Sequence, residues 1–308
     1  MGRRVSLNGF GGERSPKVIY KVDLMRLPAS LELVRPHNCL LAGVAVLVGL
    51  IVTVASRSIP VPQALFAFAV AAMICGGGNA INDYCDRKID AINRPGRPIP
   101  SGRLRADHAL IIGRSLFMIG VVLSIPLGAP CIILVVVNSL VLAFYAAEVK
   151  RLGLVGNLTV GYLVGSTFLF GGLAVENVRA VSLQAVSILA IMAALSTIGR
   201  ELIKDIEDMK GDKKIGLETF PLRHGTRAAA ALAIVFITAA IVFSPLPYLL
   251  KLFGAAYLAP VALSVLIFIG AAAIVARSQK SKAVGRASLA CKVGMGFGLL
   301  AFLAGAIL

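Results

Sequence analysis

Asn82, Asp86 and Asp90 stand at i, i+4 and i+8, and Asp83 lies three residues before Asp86. On an α-helix these offsets bring the side chains onto one face. A second set, Asp205, Asp208 and Asp212, is spaced i, i+3 and i+7 and has the same property. The chain has only fifteen acidic residues, and seven of them fall in these two segments. Clustered carboxylates repel by roughly a few tenths of a kcal/mol per exposed pair, and more where partly buried. They are best tolerated where a cation offsets the repulsion. All the donors are oxygens, and no His/Cys cluster offers a softer set, so the cation they suit is Mg²⁺. Arg94, Arg97, Lys150, Arg151, Arg200 and Lys204 add positive charge near the same segments. Metal ions and such cations together stabilise the charge that develops on a departing diphosphate.

The elements that position these residues are membrane helices. The chain has 308 residues, 58% of them hydrophobic, and a mean hydropathy of +0.87. A soluble domain has about 45–50% apolar residues. Nine stretches are long enough to span a bilayer: roughly His37–Ser56, Pro60–Ala80, His108–Leu127, Pro130–Ala147, Leu158–Val175, Val181–Gly199, Ala228–Phe243, Phe253–Ala276 and Ser288–Leu308. Both acidic segments follow directly on a span and are expected to begin as helical extensions of it. With nine spans, 28 of the 31 Lys and Arg residues fall on the side that carries both acidic segments; Arg57, Arg179 and Lys251 fall on the other. Positive charge in short loops marks the cytoplasmic side. The expected topology has the N-terminus inside and the C-terminus outside.

The sequence therefore predicts an all-α, multi-pass protein of the cell membrane, with a basic cytoplasmic segment at 1–36 and a single membrane domain at 37–308. That first segment has no long apolar core, so no cleavable signal is expected. The net charge of +16 is spread over short loops with no separate basic domain. Anionic lipid headgroups and anionic substrates are its expected partners, and nucleic acid is not. Cys39, Cys75, Cys85, Cys131 and Cys291 fit no metal or redox spacing and read as small packing residues. Gly76-Gly77-Gly78 and Gly171-Gly172 read as sites of close helix packing, and Asp107 as a cap for the third span.

The stretch from Asn82-Asp83-Tyr84-Cys85-Asp86 through Asp90, Arg94, Arg97 and Pro98-Ile99-Pro100-Ser101-Gly102 resembles the first motif and following loop of the UbiA superfamily of intramembrane prenyltransferases. Arg200-Glu201 through Gly211-Asp212 resembles that family's second motif, and Tyr145, Lys150-Arg151 and Gly156-Asn157 a middle segment. The resemblance covers nearly the whole chain after residue 30. It implies nine helices around a central cavity that opens laterally to lipid, and Mg²⁺-dependent ionisation of an isoprenyl diphosphate. Carried over, Asn82, Asp86 and Asp90 serve the first metal site and Asp208 and Asp212 the second. Asp205 is then a metal ligand or an orienter of the acceptor. Asp86, Asp90, Asp205 and Asp208 are the catalytic set. Arg35, Asp83, Arg94, Arg97, Tyr145, Lys150, Arg151, Arg200 and Lys204 contact substrate.

Within the family, the wording of the motifs is most similar to archaeal enzymes that attach a second geranylgeranyl chain to geranylgeranylglyceryl phosphate. The implied acceptor is a lipid-like phosphorylated alcohol; an aromatic quinone or haem precursor is the alternative. A transporter of anionic solutes is the rival class. It would place polar residues at the bilayer midplane, whereas these spans are nearly free of charge and the acids lie at one edge. A lipid-binding scaffold leaves the regular acidic spacing without a role.

Overall fold

Each apolar stretch folds as a helix, because a backbone in hydrocarbon must satisfy its own N–H and C=O groups. The computed structural model describes residues 28–55, 58–176, 179–214 and 216–308. Most of the basic segment 1–36, and Ser56 and Arg57, lie outside the described residues, as do the side chains of Lys210 and Lys214. The helices are α1 (Ala29–Val34), α2 (Pro36–Val54), α3 (Val61–Asn93), α4 (Ala106–Ser124), α5 (Ala129–Ala147), α6 (Leu154–Leu173), α7 (Ala180–Lys214), α8 (Phe220–His224), α9 (Thr226–Phe243), α10 (Leu246–Leu249), α11 (Leu258–Arg277) and α12 (Ser281–Ile307). Among the described residues, nine helices are long and apolar enough to cross a membrane. Leu41, Leu65, Met118, Ile133 and Leu266 are largely exposed on their outer faces. Apolar area on that scale is stable only against lipid.

Two helices project furthest beyond the bilayer. α3 has 33 residues and α7 has 35. About 20 suffice to span, so each projects about 20 Å further at 1.5 Å per residue. Both acidic motifs are therefore fully helical. α3 ends at Asn93, just before Arg94-Pro95-Gly96, where proline disfavours helix in the residue preceding it. The remaining boundaries move by a few residues. α12 starts at Ser281, seven residues earlier than hydropathy suggests, because its first two turns lie beyond the apolar run. Asp107 does not cap α4. The helix begins at Ala106, the N-cap is Arg105, and Asp107 lies in the first turn, 3.5 Å from the Arg105 guanidinium.

Glycines set the close approaches. A Cβ on Gly171 would strike the Val46 carbonyl oxygen, and one on Gly49 the Phe168 carbonyl oxygen, so α2 and α6 touch backbone to backbone. Gly161 and Gly165 do the same for α6 and α7, facing Ile198 and the Ala190 carbonyl oxygen. Gly77 packs against Phe117 and the Gly113 carbonyl oxygen of α4, and Gly78 against Leu142 of α5.

Among the described residues the apolar interior contains two separate lobes. One, of about 210 Å³, lies among α2, α3, α5 and α6. The other, of about 160 Å³, lies among α7, α9, α11 and α12, with α6 as a fifth wall. Val164 of α6 lines both.

Candidate active site

The helical extension of α3 carries the first charge cluster. Asn82 Nδ2 donates to Asp86 Oδ2 at 3.0 Å, and Lys150, from the turn after α5, closes an ion pair on Asp86. Lys150 Nζ also lies 3.5 Å from Asn82 Oδ1. One turn earlier on the helix, Asp83 is buried, with its side chain 5% exposed. Arg35 reaches it at 2.5 Å and Arg97 at 3.2 Å. Arg97 also bonds Asp90 at 2.5 Å. A buried carboxylate needs such partners, since an unpaired charge there costs several kcal/mol or loses its ionisation.

Arg35 is placed by a strained junction. It lies between α1 and α2 with φ 54° and ψ 75°, a left-handed conformation unusual for a residue with a Cβ. Asn79 holds the junction: its Nδ2 donates to the Val34 carbonyl at 2.9 Å. Leu33 is fully buried beside Ala80 and Ala109, with Ile99 and Leu104 against them. Arg103 pairs with Glu32 at 2.7 Å. Helix α1 and the 94–105 loop are thus fastened to one another over the end of α3. Arg94 is exposed at the edge of this loop, and Arg151 is exposed beside Lys150.

The second cluster lies on the extension of α7. Asp205 Oδ2 accepts from Asn157 Nδ2, on α6, at 2.9 Å. Among the described residues no Lys or Arg pairs with Asp205. Arg200 pairs with Glu201. Tyr145, near the end of α5, lies in the field of Glu201, Asp205 and Asp86, between the two clusters. Asp208 and Lys204 are exposed on the same helix. Asp212 lies beyond the span; burial, then the Asp208 carboxylate, push its carboxyl up to about 6 against the pull of Lys204.

Both motifs therefore stand at the same end of the bundle, with Tyr145 in the field of carboxylates from each. The partners inside that end are the new information. Asp90, expected to ligate an ion, is buried and closed on Arg97; Asp83, expected at the substrate, is the shared counter-ion of two arginines. Asn79, Asn157 and Glu201 bond to Arg35, Asp205 and Arg200 respectively and were given no role from sequence. Asn79 lies one helical turn before Asp83, a signal that was available. Asn157 on α6 could be matched to Asp205 only through the fold. Asn157→Leu is expected to lower kcat about 10–100-fold with KM little changed, because misorienting one group by an ångström carries that order of loss. Steady-state kinetics on the purified variant test this, and an unchanged kcat would remove Asn157 from the site.

Among the described residues no three His, Cys, Asp or Glu side chains converge as a ready metal cage. The donor set nonetheless fits Mg²⁺. Asn82, Asp86, Asp208 and Asp212 offer hard oxygens, and a carboxyl raised like that of Asp212 is one that a cation would stabilise.

Anionic clusters and their cations at one edge of an apolar, two-lobed bundle define an intramembrane transferase for hydrocarbon diphosphates. The chain belongs to the UbiA prenyltransferase family, which matches residues 42–303. It is 40% identical over 287 residues to the digeranylgeranylglyceryl phosphate synthase of Methanosarcina mazei, covering 89% of this chain and 97% of that one. A solved structure described as digeranylgeranylglyceryl phosphate synthase superposes with a TM-score of 0.82 at 38% identity, over 91% of this chain and 98% of that one. The fold is also that of a UbiA homologue from Archaeoglobus fulgidus bound to GPP and Mg²⁺, with a TM-score of 0.64 at 14% identity, over 89% of this chain and 99% of the other.

Proposed function

We propose that this protein transfers a geranylgeranyl group from its diphosphate to the free hydroxyl of geranylgeranylglyceryl phosphate, with Mg²⁺ as cofactor, in archaeal ether-lipid synthesis. The observation that carries the reading is the placement of two carboxylate-bearing helix extensions at one end of a bundle with apolar cavities inside it. The relatives at about 40% identity support the choice of acceptor. Residues 37–308 act as one catalytic membrane domain. The basic loops support a cytoplasmic motif end, with segment 1–36 on the same side.

Asn82, Asp86, Asp208 and Asp212 would hold Mg²⁺, which supplies charge to stabilise the departing diphosphate. Lys150, Arg151 and Arg94 bind the same leaving group as its charge grows. Asp83 and Asp90 hold Arg35 and Arg97 in place at its side. The allylic C–O bond breaks, and its electron pair leaves with the diphosphate. The acceptor oxygen forms the new C–O bond, and its proton passes to Asp205, whose carboxylate Asn157 orients. The apolar walls exclude water, which would otherwise capture the allylic centre.

One incubation tests the reading: purified protein, Mg²⁺, labelled geranylgeranyl diphosphate and a panel of acceptors, followed by product mass. The expected product is the two-chain ether phosphate. Labelled product with a phenolic acid alone would overturn the acceptor.

A further inference from the structure

The proposed reaction joins two molecules that each carry a long hydrocarbon chain, so two chains must lie in the bundle at once. The two lobes differ in what stands over them. The first reaches Cys75 and Leu142. Cys75 lies one turn below Asn79, and Leu142 three residues before Tyr145, so this lobe rises toward the Asp86–Lys150 pair. The second lobe is bounded toward the motif end by Ser196 and Thr197 of α7. Arg200 is the next residue on that helix face, at i+4 and i+3, and Lys204 follows one turn later.

The partition between the lobes is α6, whose Val164 lines both and which Gly161 and Gly165 hold tight against α7. Asn157 and Asp205 stand bonded at its motif end. Three of the four hydroxyls along the second lobe are already engaged: Ser264 Oγ donates to the Gly294 carbonyl at 2.7 Å, Ser244 Oγ to Ile241 at 2.7 Å and Ser196 Oγ to Ala193 at 3.2 Å, while Thr197 stands at the motif end of the lobe. Such a wall, apolar below its motif end, suits an alkyl chain.

We propose, resting on the function above, that the second lobe is the binding site for the acceptor's hydrocarbon chain. The donor's chain occupies the first lobe, beneath the diphosphate site. Arg200 and Lys204 hold the acceptor's phosphate over the second. The two reacting ends meet at the top of the partition, beside Asp205 and Asn157. Chain-length selectivity for donor and acceptor then resides in different helices.

Gly298 of α12 lines the second lobe, and a Cβ there would lie 3.5 Å from Ser264 Oγ. A methyl group fits, but an aromatic ring must enter the lobe. Ala71 of α3 offers the matching position in the first. Gly298→Phe is expected to raise KM for the full-length acceptor about tenfold or more, a loss of the size that pocket shape controls. A truncated acceptor should restore it, with KM for the donor unchanged. Ala71→Phe should do the reverse. A shift in donor length preference on Gly298→Phe, or equal effects on both substrates, would overturn the assignment. Should either variant not fold, the wild-type protein is labelled with an acceptor analogue bearing a photoreactive group at its chain end. Label in α11 or α12 supports the proposal, and label in α3 or α5 overturns it. Label in α11 or α12 without any transfer product would instead overturn the transferase reading while leaving the chain site standing.

Discussion

Asp86→Ala is expected to reduce kcat by about 10³-fold or more, the scale on which transition-state charge stabilisation is lost when a key group is removed. Asp86 joins two functions, since one oxygen accepts from Asn82 and the other meets Lys150. Removing it deletes an ion ligand and leaves the lysine without its guide. The protein should remain folded. The Asp86 side chain is 18% exposed at the motif end, Lys150 is on a turn from which its long side chain can reach solvent, and the bundle's apolar packing lies elsewhere, so the loss stays below the roughly 3–5 kcal/mol of breaking a fully buried pair. Asp86→Asn should be as inactive as the alanine variant, which separates the charge from the shape. Asp208→Ala should match it if both motifs serve one centre. The check is turnover of labelled geranylgeranyl diphosphate by monodisperse variants in detergent. Full activity in either alanine variant would sink the two-motif site.

Asp83→Ala should act on stability before chemistry. Its buried carboxylate is the common partner of Arg35 and Arg97. Without it Arg35 loses its ion-pair partner and Arg97 keeps only Asp90, so the positive charge of this corner is under-compensated. Breaking a buried pair by removing one partner costs about 3–5 kcal/mol, and the lower end applies because both arginines are partly exposed. The melting temperature in detergent is expected to fall by several degrees. KM for the donor should rise as well, since Arg35 and Arg97 would no longer be held near its diphosphate. Asp83→Asn keeps the volume and should still show both effects. An unchanged melting temperature would mean that Asp83 is not the anchor of this corner, and a lowered one with unchanged KM would separate the two arginines from substrate.

The local spacing of Asp86, Asp205, Asp208 and Asp212 already made carboxylate faces, because helical periodicity is a property of the sequence. Hydropathy located the spans for the same reason, and misplaced the start of α12, whose first two turns are polar and look like loop; the helical extensions of α3 and α7 were already expected from the acidic segments that follow their spans. Asn157 shows the opposite limit. An amide on one helix acquires a role only when Gly161 and Gly165 bring that helix against α7.

The sequence by itself determined an all-helical membrane chain, its nine spans, the two acidic faces and the oxygen-rich chemistry they suit. These follow from composition, periodicity and loop charge, which act over a few turns of chain. Only the tertiary structure decided which charge neutralises which. Arg97 turns to Asp83 and Asp90, and Lys150 to Asp86, because the 94–105 loop and the end of α5 fold back over α3. It also decided where the two apolar lobes lie, since a cavity is set by how helices distant in sequence pack, and no single span carries that information.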